Sequence, residues 1–568
     1  MEYLVSQREM QIYDENTIKY RKVPGIVLME RAALKVAEQL MDRWPERDKK
    51  VLVTAGSGNN GGDGIAVGRL LYQAGYAVDC VLLGNRAKVT RQTALQIEIW
   101  EAYGHKLYDT IPAGEYDIIV DAIFGVGLTR DIEGAYAENI KRINQMDAHI
   151  CAVDIPSGIH ADTGRIMGHA VSAELTVTFG FKKAGQCLYP GASYCGELVC
   201  VQMGIDAGSF LGKIPRIYTY NDLSDVRLPG RRPDGNKGTF GKAAVIAGSG
   251  KMCGAALLAA QSVFRSGVGM VKLITSADNK ESILQNLPEC MYTLYDEAEL
   301  CSDVNIERRE ECWRHFMEEV KSTLTWADCI LIGPGIGTDE IAGKLFRICL
   351  YESKLPIVID ADGLRLLAEE IRHTEEAAKR LINESLEESE EGAGEDMAAP
   401  GRLFEDRVCI LTPHLGEFAA LYGCRVSEAK EHILEYPKQL ADRLNSIVVC
   451  KDARTVIVFP DSEELYLNLS GNAGMATAGS GDVLAGLITG LLTQYTAGNE
   501  RPGMEGSKRQ DVTGNGERNM IGRESAVSGV YLHGLAGDMA KEIYGEQSML
   551  AGDIGRQITE LLRKSPFV

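Results

Sequence analysis

Short apolar runs alternate with helical patterns along most of the chain, and this alternation leaves few possible architectures. A strand followed by a helix and then another strand forms a parallel sheet with its ligands gathered at the carboxyl ends of the strands. In the first 205 residues the strand candidates are 51–55, 77–83, 117–121, 150–154, 175–179 and 198–201. A second series follows at 243–247, 271–275, 329–332, 357–359, 408–411, 447–450 and 456–459. Between them, residues 206–236 carry Gly, Pro and the pair Arg231 and Arg232 before Pro233, as an interdomain segment would. At 568 residues the chain is too long for one core. The expectation is two α/β domains, 1–215 and 216–568.

Composition narrows the partners. The net charge of −20 opposes nucleic acid and anionic membrane surfaces alike. No run approaches the 18 or so apolar residues of a membrane span, and the N-terminus lacks a basic region followed by an apolar one. The 14 cysteines include no C-x-x-C pair, and Cys329, Cys409 and Cys450 fall in strand-like runs, as reduced core thiols do. These features predict a cytoplasmic protein that works on small molecules, with a homo-oligomer left open.

Any anionic ligand must then be held by local backbone amides, and two glycine-rich loops suit that task. The first, Gly-Ser-Gly-Asn-Asn-Gly-Gly-Asp-Gly at 56–64, follows a strand candidate and opens a helix. Gly56, Gly58 and Gly61 give a G-x-G-x-x-G spacing, a weak signal alone, but Asn59, Asn60 and Asp63 add an oxygen-rich pocket for a ribose, a phosphate or a monovalent cation. Asp121 and Asp154 close two further strand candidates, before Ala-Ile-Phe-Gly-Val-Gly-Leu-Thr-Arg and Ile-Pro-Ser-Gly. Each aspartate alone fits a loop cap equally well, but with Asn60 they converge from three strand ends.

The second loop lies at 472–490, a small-residue run through Gly479, Ser480, Gly481 and Asp482 that passes straight into an apolar helix. Backbone N–H groups at such a helix start favour phosphate. Asp482 is either an ordinary N-cap or the base that takes a proton from a hydroxyl attacking phosphorus. Gly-Pro-Gly-Ile-Gly at 333–337, Asp-Ala-Asp-Gly-Leu at 360–364 and Thr-Pro-His-Leu-Gly-Glu at 412–417 also follow strands, and together with this turn suggest one pocket. His414 is read as a ligand contact, its position stiffened by Pro413.

The Gly-Ser-Gly-Asp turn resembles the anion hole of ribokinase-like kinases. With Asn-Lys-Gly-Thr-Phe-Gly at 236–241, Gly-Ala-Ala-Leu-Leu-Ala-Ala at 254–260 and the three loops just named, the rear half resembles the ADP-dependent NAD(P)H-hydrate dehydratases. The front half, through Gly-Asn-Asn-Gly-Gly-Asp-Gly, Asp-Ala-Ile-Phe-Gly-Val-Gly and Asp-Ile-Pro-Ser-Gly, resembles the NAD(P)H-hydrate epimerases. Their fusion in this order is similar to the bifunctional repair enzymes of nicotinamide nucleotides.

The resemblance implies a Rossmann-like parallel-sheet domain followed by a ribokinase-like α/β domain. In front, it implies substrate binding by Asn59, Asn60, Gly61, Gly62, Asp63, Gly125, Val126, Gly127, Leu128, Thr129, Arg130 and Asp131, with Asp154 catalytic at the hydrated ring. A potassium ion would be held by Asn60, Asp121 and Ser157. In the rear, Asp482 would be the base, with Ala255, Gly337 and His414 on the substrate. Lys451, Asp452, Ala453, Arg454, Thr455, Gly479, Ser480 and Gly481 would bind ADP, whose phosphoryl transfer implies magnesium. The alternative is a rear hydroxymethylpyrimidine or sugar kinase joined to a non-catalytic nucleotide-binding module. Two stretches, 384–396 with seven acidic and no basic residues and 499–522 rich in Gly, Asn and Arg, read as solvated loops.

Overall fold

The computed structural model describes residues 1–301, 306–374, 404–460, 462–498 and 515–564. The chain divides into two compact units, Glu2–Tyr218 and Thr219–Val568. The front unit carries β1 (Glu2–Leu4), β2 (Lys50–Ala55), β3 (Ala77–Leu82), β4 (Leu107–Tyr108), β5 (Ile118–Ala122), β6 (His149–Val153), β7 (Leu175–Phe179) and β8 (Glu197–Val201). The division falls within β9 (Ile217–Thr219).

Seven of these strands form a sheet in the order β4-β3-β2-β5-β6-β7-β8, with every pair parallel. Their apolar runs are nearly continuous because helices cover both faces; β5 is buried at all five positions. The order reverses direction between β2 and β5, the switch point where an α/β sheet leaves a crevice beyond its carboxyl ends. Thr54 pairs with Asp121 there, and Asp121 with Ala152 on β6. The helix Asn59–Gln73 packs on this part of the sheet through its glycines. A Cβ on Gly64 would lie 2.4 Å from that of Ala122, and one on Gly68 would lie 2.7 Å from the Cys80 sulfur.

The rear unit contributes β10 (Lys242–Ile246), β11 (Met270–Ser276), β12 (Met291–Tyr295), β13 (Cys329–Ile332), β14 (Ile357–Ile359), β15 (Cys409–Leu411), β16 (Ile447–Cys450), β17 (Val456–Val458) and β18 (Leu465–Leu467). They lie in the order β18-β17-β16-β15-β14-β13-β10-β11-β12. The strands from β16 to β12 in that order are parallel, while β17 and β18 pair antiparallel as a hairpin ribbon. The switch point lies between β13 and β10.

Across this unit, the helix Ser480–Thr496 packs on Cys253–Arg265 with almost no side chain between them. A Cβ on Gly486 would lie 2.3 Å from the Ala259 carbonyl oxygen, and one on Gly490 would lie 1.9 Å from the Ser266 hydroxyl. Cys329, Cys409 and Cys450 are buried in strands, and burial pushes their thiols up, that of Cys329 to about 12.

Two sequence readings need correction. The loop expected at 499–522 gives way to a helix, Asn515–Tyr544, which takes in its last eight positions. Gly522, read as a loop residue, is a packing glycine: a Cβ there would meet Ile447 and Val408 side chains at 2.7 Å. Residues 499–514 and the acidic stretch 384–396 lie outside the described residues. The sequence reading also passed over β1, β9, β12 and β18 and the two-residue β4. Among the described residues, no helix is long and apolar enough to cross a membrane.

Candidate active sites

In the front unit, Asp121 lies inside β5, one residue before its end, and is completely buried. The Ser157 hydroxyl donates to its Oδ1 (2.6 Å) and the Ser157 amide to its Oδ2 (2.7 Å), while the Ile123 amide reaches Oδ1 at 3.3 Å. Burial pushes the carboxyl up to about 6 despite these bonds, which favour its charged form. The Phe124 amide donates to the Ser157 hydroxyl (2.8 Å), and Gly125 sits against Asn60, so one short loop joins all three residues. Asn60 Nδ2 is buried without a hydrogen-bond partner.

Asp154 follows β6 and has a left-handed backbone, φ 67°. Thr178 Oγ1 (3.1 Å), the Phe179 amide (3.3 Å) and the Lys183 ammonium all donate to its Oδ1. Gln186 fixes its carbonyl at 2.6 Å. Lys183 is fully buried and pairs with Asp154 at the end of β7. Asp63 faces the same place: burial raises its carboxyl well above the usual range, with Asp154 and then Asp14 adding repulsion. Asp14 is raised too, by burial first and by Glu15 and Asp154 after it. Sequence reasoning missed Lys183 and Asp14. The only signal for Lys183 was a basic pair just past a strand.

The other front positions behave unequally. Asn59, Asn60, Gly61, Gly62 and Asp63 form the first turns of the helix Asn59–Gln73, where a Cβ on Gly61 would lie 1.9 Å from the Gly56 carbonyl oxygen. Gly125 and Val126 are partly covered, and Gly127, Thr129, Arg130 and Asp131 are exposed. Asp131 pairs with Arg165 at 3.3 Å. Leu128 differs: its side chain is buried in the apolar cluster beneath the loop, which leaves only its backbone for a ligand.

The rear site gathers at the ends of β14, β15 and β16. Asp360 is buried, and its Oδ1 accepts from the Lys451 ammonium (2.7 Å) and the Thr412 hydroxyl (2.8 Å). Burial pulls the Lys451 ammonium down, but Asp360, Glu417 and Asp482 more than offset this and hold it above its ordinary value. Asp482 lies in the first turn of the helix Ser480–Thr496. Burial first, then repulsion from Asp360, pushes its carboxyl up to about 6, with Lys451 opposing. A Cβ on Gly481 would lie 3.3 Å from the Lys451 nitrogen, so the cation stands directly over the turn.

The Gly479 N-cap has φ 89° and no capping side chain, so the turn itself offers its backbone. The Ser480 amide is partly engaged, donating to the Thr477 carbonyl at 3.3 Å. Gly337 donates to Asp362 (3.0 Å), and Ala255 is buried beside Gly335. His414 is the N-cap of the helix Leu415–Tyr422, its Nδ1 accepting from the Gly416 (2.9 Å) and Glu417 (3.2 Å) amides. Lys451 belongs with Asp360, whereas Asp452, Ala453, Arg454 and Thr455 form the β16–β17 turn. There Arg454 donates to the Leu469 carbonyl at 3.1 Å. Asp360 and Thr412 were missed as site residues although their loops were noted.

With both sites in view, comparison with known proteins is informative. The family model of the YjeF-related protein N-terminus matches residues 25–185, and that of the NAD(P)H-hydrate dehydratase matches residues 243–382 and 404–560. The bifunctional NAD(P)H-hydrate repair enzyme Nnr of Moorella thermoacetica is 31% identical over 570 residues, spanning 97% of this chain and 95% of its own. The chain belongs to the bifunctional NAD(P)H-hydrate repair enzymes. The repair enzyme of Thermofilum pendens is 33% identical, over 98% of this chain and 95% of its own. A crystal structure of the ADP/ATP-dependent NAD(P)H-hydrate dehydratase from Bacillus subtilis, co-crystallised with ATP/Mg2+, is 25% identical with a TM-score of 0.41. It covers 60% of this chain and 95% of that one. The dehydratase match breaks across 383–403, the region of the acidic stretch.

Proposed function

We propose that each unit carries one half of the family's repair reaction. The front site interconverts the R and S epimers of hydrated NADH and NADPH; the rear site dehydrates the S epimer with ADP, giving AMP, phosphate and NAD(P)H. The observation that carries the rear assignment is Asp482, a carboxyl poised near 6 in a helix-opening turn beneath the Lys451 cation. A base so placed serves a hydroxyl near neutral pH. Asp482 takes the proton of the ring hydroxyl as its oxygen bonds to the β-phosphorus of ADP and AMP leaves. The ring nitrogen then expels phosphate, a far better leaving group than hydroxide, and loss of a ring proton restores the reduced nicotinamide. Lys451 and the backbone of 479–481 stabilise the migrating phosphoryl charge. The 452–455 turn, Ala255, Gly337 and the backbone around His414 shape the pocket, and magnesium enters with ADP.

In front, the hydroxyl is part of a hemiaminal, so proton transfer at one carboxylate lets it leave and return on the other face. The donors to Asp154 converge on Oδ1, leaving Oδ2 for that proton. Asn59 to Asp63 and the 125–131 loop line the crevice. The donor set at Asn60, Asp121 and Ser157 fits a weakly hydrated cation such as potassium, because a buried amide without a partner needs a ligand and turns its oxygen inward by a simple flip. The ion would supply positive charge beside the substrate. Incubating the protein with mixed hydrate epimers and either ADP or ATP, and following reduced-nicotinamide absorbance, tests the reading. Recovery with ADP is expected; no recovery with either donor overturns it.

A further inference from the structure

A lysine side chain is a flexible four-carbon stem, so an ammonium that must meet a migrating phosphoryl group needs a partner to aim it. In the rear site Asp360 is placed to do so, because its carboxylate links three strand ends. It follows β14 directly, and its Oδ1 accepts from the Thr412 hydroxyl just past β15 (2.8 Å) and from the Lys451 ammonium just past β16 (2.7 Å). Both bonds go to one oxygen. Oδ2 instead faces the Asp482 turn, 3.8 Å from where a Cβ on Gly481 would lie, with the Lys451 nitrogen nearer at 3.3 Å. The turn therefore meets the cation first and the counter-charge behind it.

The main chain of Asp360 is held as firmly as its carboxylate. Its amide donates to the Ile332 carbonyl on β13 (3.1 Å), its carbonyl accepts from the Gly363 amide (3.0 Å), and a Cβ on Gly333 would lie 1.8 Å from that carbonyl oxygen. Ala361, the next residue, has φ 49°, a left-handed backbone that an alanine adopts only where its surroundings impose it. Lys451 is fixed at its own root, where its amide donates to the Pro413 carbonyl at 2.8 Å. Root and head of this lysine are thus both anchored.

A buried ion pair is a poor choice for stability alone, since apolar residues of similar volume serve as well or better. We propose that Asp360, braced by Thr412, is a positioning residue for phosphoryl transfer: it fixes the Lys451 ammonium over the Gly481 turn, where the charge of the migrating phosphoryl group develops. The inference rests on Lys451 stabilising that charge and on Asp482 acting as the base. Asp360 also acts on Asp482 through its charge. Beside burial, Asp360, Asp362 and Glu417 raise the Asp482 carboxyl and Lys451 lowers it, Asp360 being the largest of the four.

The test uses the full-length protein, S-enriched hydrate and ADP. Asp360→Asn keeps the shape and removes the charge; kcat for dehydration should fall by about tenfold or more, as for a misplaced catalytic group, with KM for ADP within about threefold because the ammonium remains. The acid limb of its kcat profile should also move below about 6, since the largest repulsion on Asp482 is gone. Parent kcat overturns the proposal, as does a loss of kcat with the limb unmoved, which would make Asp360 structural only. Lys451→Met tests the reading beneath: kcat should fall by about 100-fold, the scale of a lost charge-stabilising donor, and parent turnover there removes that reading. Added to Lys451→Met, Asp360→Asn should cost less than about threefold more, because a residue that acts through the cation then has nothing to place. Losses that simply multiply overturn the proposal while leaving the role of Lys451 standing. Should Asp360→Asn fail to fold, Thr412→Val decides: a fall in kcat of about threefold or more at unchanged KM for ADP is expected, and parent kcat overturns the proposal.

Discussion

Asp482 and Asp121 sit in different units yet are held near the same pKa, about 6, and for the same first reason, burial. For Asp482 the consequence is functional. As the proposed base it works only when deprotonated, so kcat for ADP-driven dehydration should rise with pH and level off above about 6. Asp482→Asn keeps the size of the side chain but not the acceptor; turnover should fall about 100-fold or more while ADP binding, read by calorimetry, survives. The same shift bears on stability. A carboxyl whose folded pKa is raised stabilises the fold only while protonated, a contribution fully present below the unfolded value and lost as pH rises through about 6. Asp482→Asn should therefore be more stable than the parent at pH 8, by on the order of 2 kcal/mol, with the difference gone at pH 3.5. Equal melting curves at pH 8 would deny that the carboxylate is strained. Aspartates at strand ends were legible because their positions follow from the strand pattern. Lys183 was not, since nothing in a basic pair after a strand announces that one ammonium turns inward to a carboxylate 29 positions earlier.

Elements built on small residues show where glycine matters and where it does not. Gly486 lets two helices touch backbone to backbone, and a methyl there meets the Ala259 carbonyl oxygen at 2.3 Å. Gly486→Ala should lower the urea midpoint by an amount equivalent to roughly 2 kcal/mol or more, the range of overpacked cores. Gly343, inside the helix Glu340–Arg347, faces open space, so Gly343→Ala should raise the midpoint by about 0.5–1 kcal/mol through helix propensity. Composition alone ranks the two alike. That blindness also explains the misreading of 515–522, where glycine and polar residues suggested a loop although Ile521 is buried and Gly522 admits β-strand side chains. That His414 caps a helix was not legible for the same reason: an N-cap and a ligand contact follow a strand equally well, and the bonds from the Gly416 and Glu417 amides show the cap.

At the scale of the whole molecule, two units, each with the carboxylate proposed for its own reaction, should fail separately. With mixed hydrates and ADP, Asp154→Ala should give biphasic recovery, fast for the S epimer and then limited by spontaneous conversion of R. Monophasic recovery at the parent rate would remove Asp154 from the reaction. The parallel part of both sheets was readable because its apolar runs are short and buried, as strands covered by helices on both faces are. The edge strand β12 escaped because its Met-Tyr-Thr-Leu-Tyr alternates exposure, and β4 because two residues carry no period.

The left-handed backbone of Asp154 has a historical side. At φ 67° a glycine would sit more comfortably than any carboxylate. The side chain nevertheless holds the position against glycine, because it is the carboxylate partner of the fully buried Lys183. A lineage that shed epimerisation would have to replace Lys183 before it could take the glycine that φ 67° favours.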